Sequence, residues 1–319
     1  MNKLLAVYNT CGLKNEDTQR YLQSIDSIIA QECPDISVDV VISSCRNSSK
    51  CLSFINSFFR DKIRINSIED IVPVNVTFNH TALKMRELCG PYDGYMYVDS
   101  GVSLDRKDVI YDLIQTFQQQ CHISMVSADV DDDGGVAVDT GPLRDLGYDA
   151  GRGILGNGVV SVGSSVNLHC QIFSDEIMSF YGRILPDIFA GFCTESTLTF
   201  VAAALQTNWV HRTDIRVSHL TEMDGRSSGF NPSEWIATSG RKSYDHPFAI
   251  NSYMDRFENQ QAKSLGLGFE ECRGVLVHDH SQYDENDHCI NDGLKQYIKD
   301  NLYLTDEEFD YGSIRSKII

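Results

Sequence analysis

The stretch Tyr95-Met96-Tyr97-Val98-Asp99-Ser100-Gly101-Val102 is an apolar, β-rich run that ends on a carboxylate, followed by a small residue and a glycine. A strand of this kind puts Asp99 where the chain turns away. In an open α/β sheet, ligands gather beyond the carboxyl ends of the strands, so Asp99 is expected at the mouth of a crevice. A carboxylate there is a hard oxygen ligand, suited to a divalent cation that also holds substrate phosphates. Taken alone, the same residue also reads as a helix cap or turn residue.

Strands and helices alternate on both sides of this run. Leu4 to Tyr8 reads as a first strand, and Asp17 to Ala30 as a helix with Tyr21, Leu22, Ile25, Ile28 and Ile29 at helical spacing. Pro34 ends that helix; Ile36 to Ser43 follows as a second strand and Ser49 to Phe59 as a second helix. Asn75 to Phe78 reads as a short extended piece, with a helix from His80 to Leu88. After the central strand come a helix from Asp108 to Gln119 and a strand from Ile123 to Ala128. This order predicts a mostly parallel, doubly wound sheet. The turn Asn9-Thr10-Cys11-Gly12 lacks the glycine-rich dinucleotide fingerprint, which argues against a nicotinamide or flavin domain.

Periodicity weakens from Asp129 to Gly158, where Asp131-Asp132-Asp133-Gly134-Gly135 is followed by none of the spacing of a calcium loop. Val159 to Val166 is expected as a strand, Asp175 to Tyr181 as helical, Thr197 to Leu205 as an apolar helix, and Ile215 to Ser218 as a strand ending at His219. After about residue 245 the chain turns polar and acidic, with helical pieces near Ile250 to Lys263 and Gly293 to Leu302. Residues 1–245 are therefore expected to form the main domain and 246–319 an extension on or beside it.

Composition narrows the function classes. A net charge of −18 over 319 residues argues against a nucleic-acid surface, and an anionic substrate would need a metal ion or a local basic pocket. No apolar run approaches the ~18 residues of a membrane span, and Met1 to Thr10 is too short for a secretory signal. The ten cysteines form no Cys-x-x-Cys pair, so a structural zinc site is not expected and reduced thiols in a cytoplasmic protein are. Sequons at Asn47, Asn75 and Asn79 then read as chance occurrences.

Three features fall in order: Asp99-Ser100-Gly101 after a central strand, Glu195 in Phe192-Cys193-Thr194-Glu195-Ser196-Thr197-Leu198 before an apolar helix, and His219 after a later strand. Over roughly residues 3–220 this pattern resembles the GT-A (Rossmann-like) glycosyltransferases, family 2 most of all. That resemblance implies a central mostly parallel sheet flanked by helices, and an Asp-x-Asp motif that binds a divalent metal and a nucleotide diphosphate. Asp99 matches its first Asp, while Gly101 stands where the last would be. His219 matches the family's later metal-binding His. Asn9 and Thr10 fall where the first strand meets the nucleoside, Ser43 and Ser44 at the end of strand two, and Asn79 beside the donor; Ser100 accompanies Asp99. Arg241 and Lys242, with Arg226, are candidate cations for the diphosphate. Each of these residues also has a plain reading as a turn, cap or surface residue.

The resemblance implies a transferase that uses Mn²⁺ or Mg²⁺ and a nucleotide-sugar donor, UDP-linked, and passes the sugar to a glycan or other hydroxyl acceptor. Glu195 would be the base that takes the acceptor proton in an inverting displacement; alternatively, it is a helix-start residue stabilised by the dipole. Two other readings stay open at this point: a sugar-phosphate nucleotidyltransferase, and a carbohydrate-binding protein with a degenerate transferase fold. His278-Asp279-His280, near His288, reads as a surface loop, with a second metal site as the alternative.

Overall fold

The computed structural model describes residues 1–11, 17–45, 49–70, 72–119, 123–131, 152–155, 158–161, 168–187, 207–220 and 310–319, residues 295–305 apart from 297 and 301, and positions 194, 198, 201 and 205. In chain order the elements are β1 (Lys3–Cys11), α1 (Thr18–Ile29), β2 (Ser37–Cys45), α2 (Ser49–Phe59), β3 (Arg64–Ile68), α3 (Val74–Cys89), β4 (Gly94–Asp99), β5 (Val102–Ser103), α4 (Val109–Gln119) and β6 (Ile123–Asp131). They continue with β7 (Arg152–Leu155), β8 (Gly158–Ser161), β9 (Cys170–Ser174), α5 (Asp175–Tyr181), β10 (Asn208–His219) and β11 (Ser316–Ile318).

Among the described residues, the strands form one sheet in the order β11-β3-β2-β1-β4-β9-β6-β10-β8-β7, with β5 paired to β10. The β3-β2-β1-β4 half is parallel, as strand-helix alternation requires, because each crossover helix returns the chain to the same end of the sheet. β9 enters antiparallel between β4 and β6, while β6 and β10 run parallel.

Successive residues of β1 point to opposite faces, and each face has its own core. Leu4, Ala6 and Tyr8 pack with Tyr21, Ile25 and Ile28 of α1, Leu52 and Ile55 of α2 and Leu113 of α4. Leu5 and Val7 pack with Phe78, Ala82 and Met85 of α3 and with Ile177 and Tyr181 of α5. The result is a three-layer α/β/α arrangement.

The sequence expectations need several corrections. Asn75 to Phe78 is helical, since α3 already starts at Val74 behind an extended Pro73, with the Thr77 hydroxyl donating to the Pro73 carbonyl at 2.8 Å. The β-branched Val76 and Thr77 sit in a helix because residues 75–78 are all buried there, and packing outweighs strand preference. β3 and β9 were not anticipated. β10 starts at Asn208, well before Ile215, and its pairing with β6 is irregular between Arg212 and Arg216. The helices expected near 250–263 and the boundary at 245/246 lie outside the described residues.

The last described residues return to the sheet: Ser316 to Ile318 pair antiparallel with Ile68 to Asn66 of β3. No helix among the described residues is long and apolar enough to cross a membrane.

Candidate active site

The carboxyl end of β4 lies beside that of β1, with Asn9 in register with Asp99, and on the far side Asn9 is in register with Ser43. Ser43 is in turn level with Asn66 of β3. A polar row therefore crosses four strands at the end where α/β sheets bind ligands.

Past Asp99 the chain turns sharply. The Ser100 amide donates to Asp99 Oδ1 at 2.8 Å, and Gly101 has φ of 91°, in the left-handed region that favours glycine. Gly101 thus stands where the backbone favours glycine, and no carboxylate follows Asp99 two residues on. The Gly101 amide donates to the Tyr8 hydroxyl at 3.1 Å, and the Gly101 carbonyl accepts from the Leu220 amide at 2.7 Å. Burial pushes the Tyr8 phenol well above its usual value, so it stays protonated as a brace under the turn. On α1, the Ser24 hydroxyl donates to the Val102 carbonyl, and Ser27 Oγ accepts from the Leu104 amide at 3.0 Å. This short turn sets the place of His219, which pairs with Val102 across the β5–β10 ladder.

His169, a residue the sequence reading missed, completes the group. It directly precedes β9, and its carbonyl accepts from the Asp99 amide at 2.8 Å. His169 Nδ1 lies 3.5 Å from Asp99 Oδ2, and the His169 and His219 rings meet edge to face with centroids 5.2 Å apart. Asp99, His169 and His219 are each half-buried, and one ligand atom from each lies within 4.8 Å of the others. Two imidazoles and one carboxylate at this spacing are a donor set that fits a divalent cation. The sequence signal for His169 was a lone His at the start of the apolar run Cys170 to Phe173, which acquires meaning only once β9 is known to pair with β4.

The other anticipated residues divide into three groups. Asn9 and Thr10 are buried at the end of β1; Asn9 Nδ2 donates to the Val74 carbonyl at 2.7 Å, and its Oδ1 takes no hydrogen bond among the described residues. Ser43 and Ser44 are fully buried, with the Ser43 hydroxyl 2.6 Å from Thr81 Oγ1 on α3, and Ser100 is buried beside Asp99. Asn79 is fully buried and acts as a clamp: its Oδ1 accepts from the Ile184 and Leu185 amides at 3.1 and 2.9 Å, and its Nδ2 donates to the Leu185 carbonyl at 2.8 Å. Glu195, Arg226, Arg241, Lys242, His278, His280 and His288 lie outside the described residues. Next to Glu195, Thr194, Leu198, Val201 and Leu205 are buried at helical spacing, with the last three in the α3-side core.

Structural comparison decides the fold. Residues 1-349 of S. aureus TarS, solved in complex with UDP-GlcNAc, match with a TM-score of 0.52 and 12% identity over 98% of this chain and 86% of that one. The fold is that of the GT-A glycosyltransferases. A longer S. aureus TarS chain matches at TM-score 0.51 and 12% identity over 98% of this chain, which spans 52% of that one. A mannosyltransferase from Pyrobaculum calidifontis, in complex with GDP-Man and Mn²⁺, is similar at TM-score 0.47 and 12% identity over 95% of this chain and 87% of that one. No protein-family model matches the sequence, and no curated protein does.

Proposed function

We propose that this chain is a nucleotide-sugar glycosyltransferase that moves a sugar from a UDP-linked donor to a glycan or other hydroxyl acceptor with inversion. One observation carries the reading: in a GT-A fold, Asp99, His169 and His219 converge at the carboxyl end of β4. A divalent cation held by these three side chains would neutralise the donor's diphosphate and so stabilise the leaving nucleotide. Asn9, Thr10, Ser43 and Ser44, buried at the ends of β1 and β2, would shape the floor beneath the nucleoside, with Asn79 bracing 184–185. Ser100 holds Asp99 in its rotamer through its amide. Arg241 and Lys242 are the cations assigned to the diphosphate.

In the reaction, the acceptor oxygen attacks the anomeric carbon from the face opposite the diphosphate. The carbon–oxygen bond to phosphate breaks, its electron pair leaves with the nucleotide, and the acceptor proton passes to Glu195. The test is calorimetry with UDP, with and without Mn²⁺, on the parent and on Asp99→Ala. The expected result is metal-linked UDP binding in the parent only. UDP binding that ignores both the metal and the substitution would overturn the reading.

A further inference from the structure

We infer that Asp99, His169 and His219 form a preorganised site that binds a first-row transition-metal ion before any nucleotide arrives, and that His169 makes it discriminate against Mg²⁺. The inference rests on the transferase reading only for its biological use; the binding itself follows from the three side chains.

Two properties of the site support it. The first is rigidity. Each ligand is set by main-chain pairing rather than by a free loop: Asp99 ends β4 and bonds through its amide to the His169 carbonyl, and His219 is locked by the Val102 pairing and the Leu220–Gly101 hydrogen bond. The Gly101 turn between them is braced from two further elements, by Tyr8 of β1 and by Ser24 and Ser27 of α1. With the ligands already gathered within 4.8 Å, little ordering remains for the ion to impose.

The second is donor chemistry. Mg²⁺ demands oxygen ligands in near-octahedral geometry and gives up its waters reluctantly, so a lone carboxylate with two imidazoles suits it poorly. Imidazole suits Co²⁺, Ni²⁺ and Zn²⁺, whose affinities for nitrogen sites exceed that of Mn²⁺. A site with a second carboxylate, where the glycine turn here places Gly101, would be served by Mg²⁺ through its oxygens. This chain supplies a nitrogen from His169 instead.

The experiment is metal titration of the metal-free chain with no nucleotide present, using the visible spectrum of Co²⁺ and calorimetry for Mg²⁺ and Mn²⁺. The expected result is one Co²⁺ per chain with nitrogen-ligand bands, binding at least about tenfold more tightly than Mn²⁺, with Mg²⁺ weaker still. His169→Asp should reduce the Co²⁺-to-Mg²⁺ preference by about tenfold or more while keeping the circular dichroism of the parent. His219→Ala, which should abolish the Co²⁺ spectrum, separates this site from other histidines such as His278 and His280. Equal affinities for Co²⁺ and Mg²⁺, or an unchanged preference in His169→Asp, would overturn the inference. Metal-linked UDP binding alongside that result would leave the transferase reading standing. A selective Co²⁺ site without metal-linked UDP binding would do the reverse.

Discussion

The amide of Asp99 donates to the carbonyl of His169 at 2.8 Å, so a single main-chain hydrogen bond aligns the two side chains that face each other at 3.5 Å. The sheet itself gathers the three candidate ligands: β4 brings one, the entry to the antiparallel β9 the second, and the end of β10 the third.

Gly101 is the hinge of that arrangement. Its φ of 91° places an added Cβ in the left-handed region, at roughly 1–2 kcal/mol. Gly101→Ala should lower the urea unfolding midpoint by that amount. It should also weaken Co²⁺ binding, because the turn it distorts carries the Val102–His219 pairing. Unchanged metal affinity would show that His219 is placed independently of the turn.

Asn79 satisfies two amides and a carbonyl of the 184–185 segment from inside the core. Asn79→Ala leaves those groups buried and unmatched, so a loss on the order of 3 kcal/mol is expected in denaturant unfolding. Asn79→Asp keeps the acceptor for the two amides and should recover part of that loss.

Two buried groups set opposing pH slopes. Burial raises the Asp187 carboxyl from 3.8 to about 6, against the pull of Arg183, 3.0 Å away, and of the Tyr311 hydroxyl at 2.8 Å. Between those values the native chain keeps a proton that the unfolded chain releases, so stability falls as pH rises through the window. His80 does the reverse: burial first, then Lys84, lower it from 6.5 to about 4, so stability falls as pH drops through that range. Each shift corresponds to roughly 3 kcal/mol, and the two largely offset. Asp187→Asn removes one slope, and the variant's unfolding midpoint should rise with pH between about 4 and 6.5 more steeply than the parent's.

Glu195→Gln keeps the size of the side chain and removes its basicity. Transfer should fall by at least about a hundredfold, while UDP affinity in the presence of metal stays within a few-fold of the parent. Near-normal turnover would remove the base assignment.

Much of the parallel half was legible because it obeys local rules. Helical spacing marks α1 and α4, and the apolar run into Asp99 marks β4. The missed elements depend on partners distant in the chain. β9 is a five-residue strand whose identity comes from insertion between β4 and β6. The first turn of α3 carries strand-forming residues that burial, and the Asn75 bond to the Pro186 carbonyl at 2.6 Å, hold helical. Asp99 and His219 were readable from strand ends. His169 was not, because a histidine before a short apolar run becomes a candidate ligand only through the register of a strand the sequence does not announce.

The pairing of residue 316 with residue 68 has a consequence for synthesis. At about 5–20 residues per second, the outer edge of β3 emerges from the ribosome on the order of ten seconds or more before its partner. Throughout that interval its amides and carbonyls are a template for any other nascent strand nearby. Crowded polysomes should therefore be where this chain is most prone to aggregate, and slower initiation, which spaces the ribosomes, should raise its soluble yield.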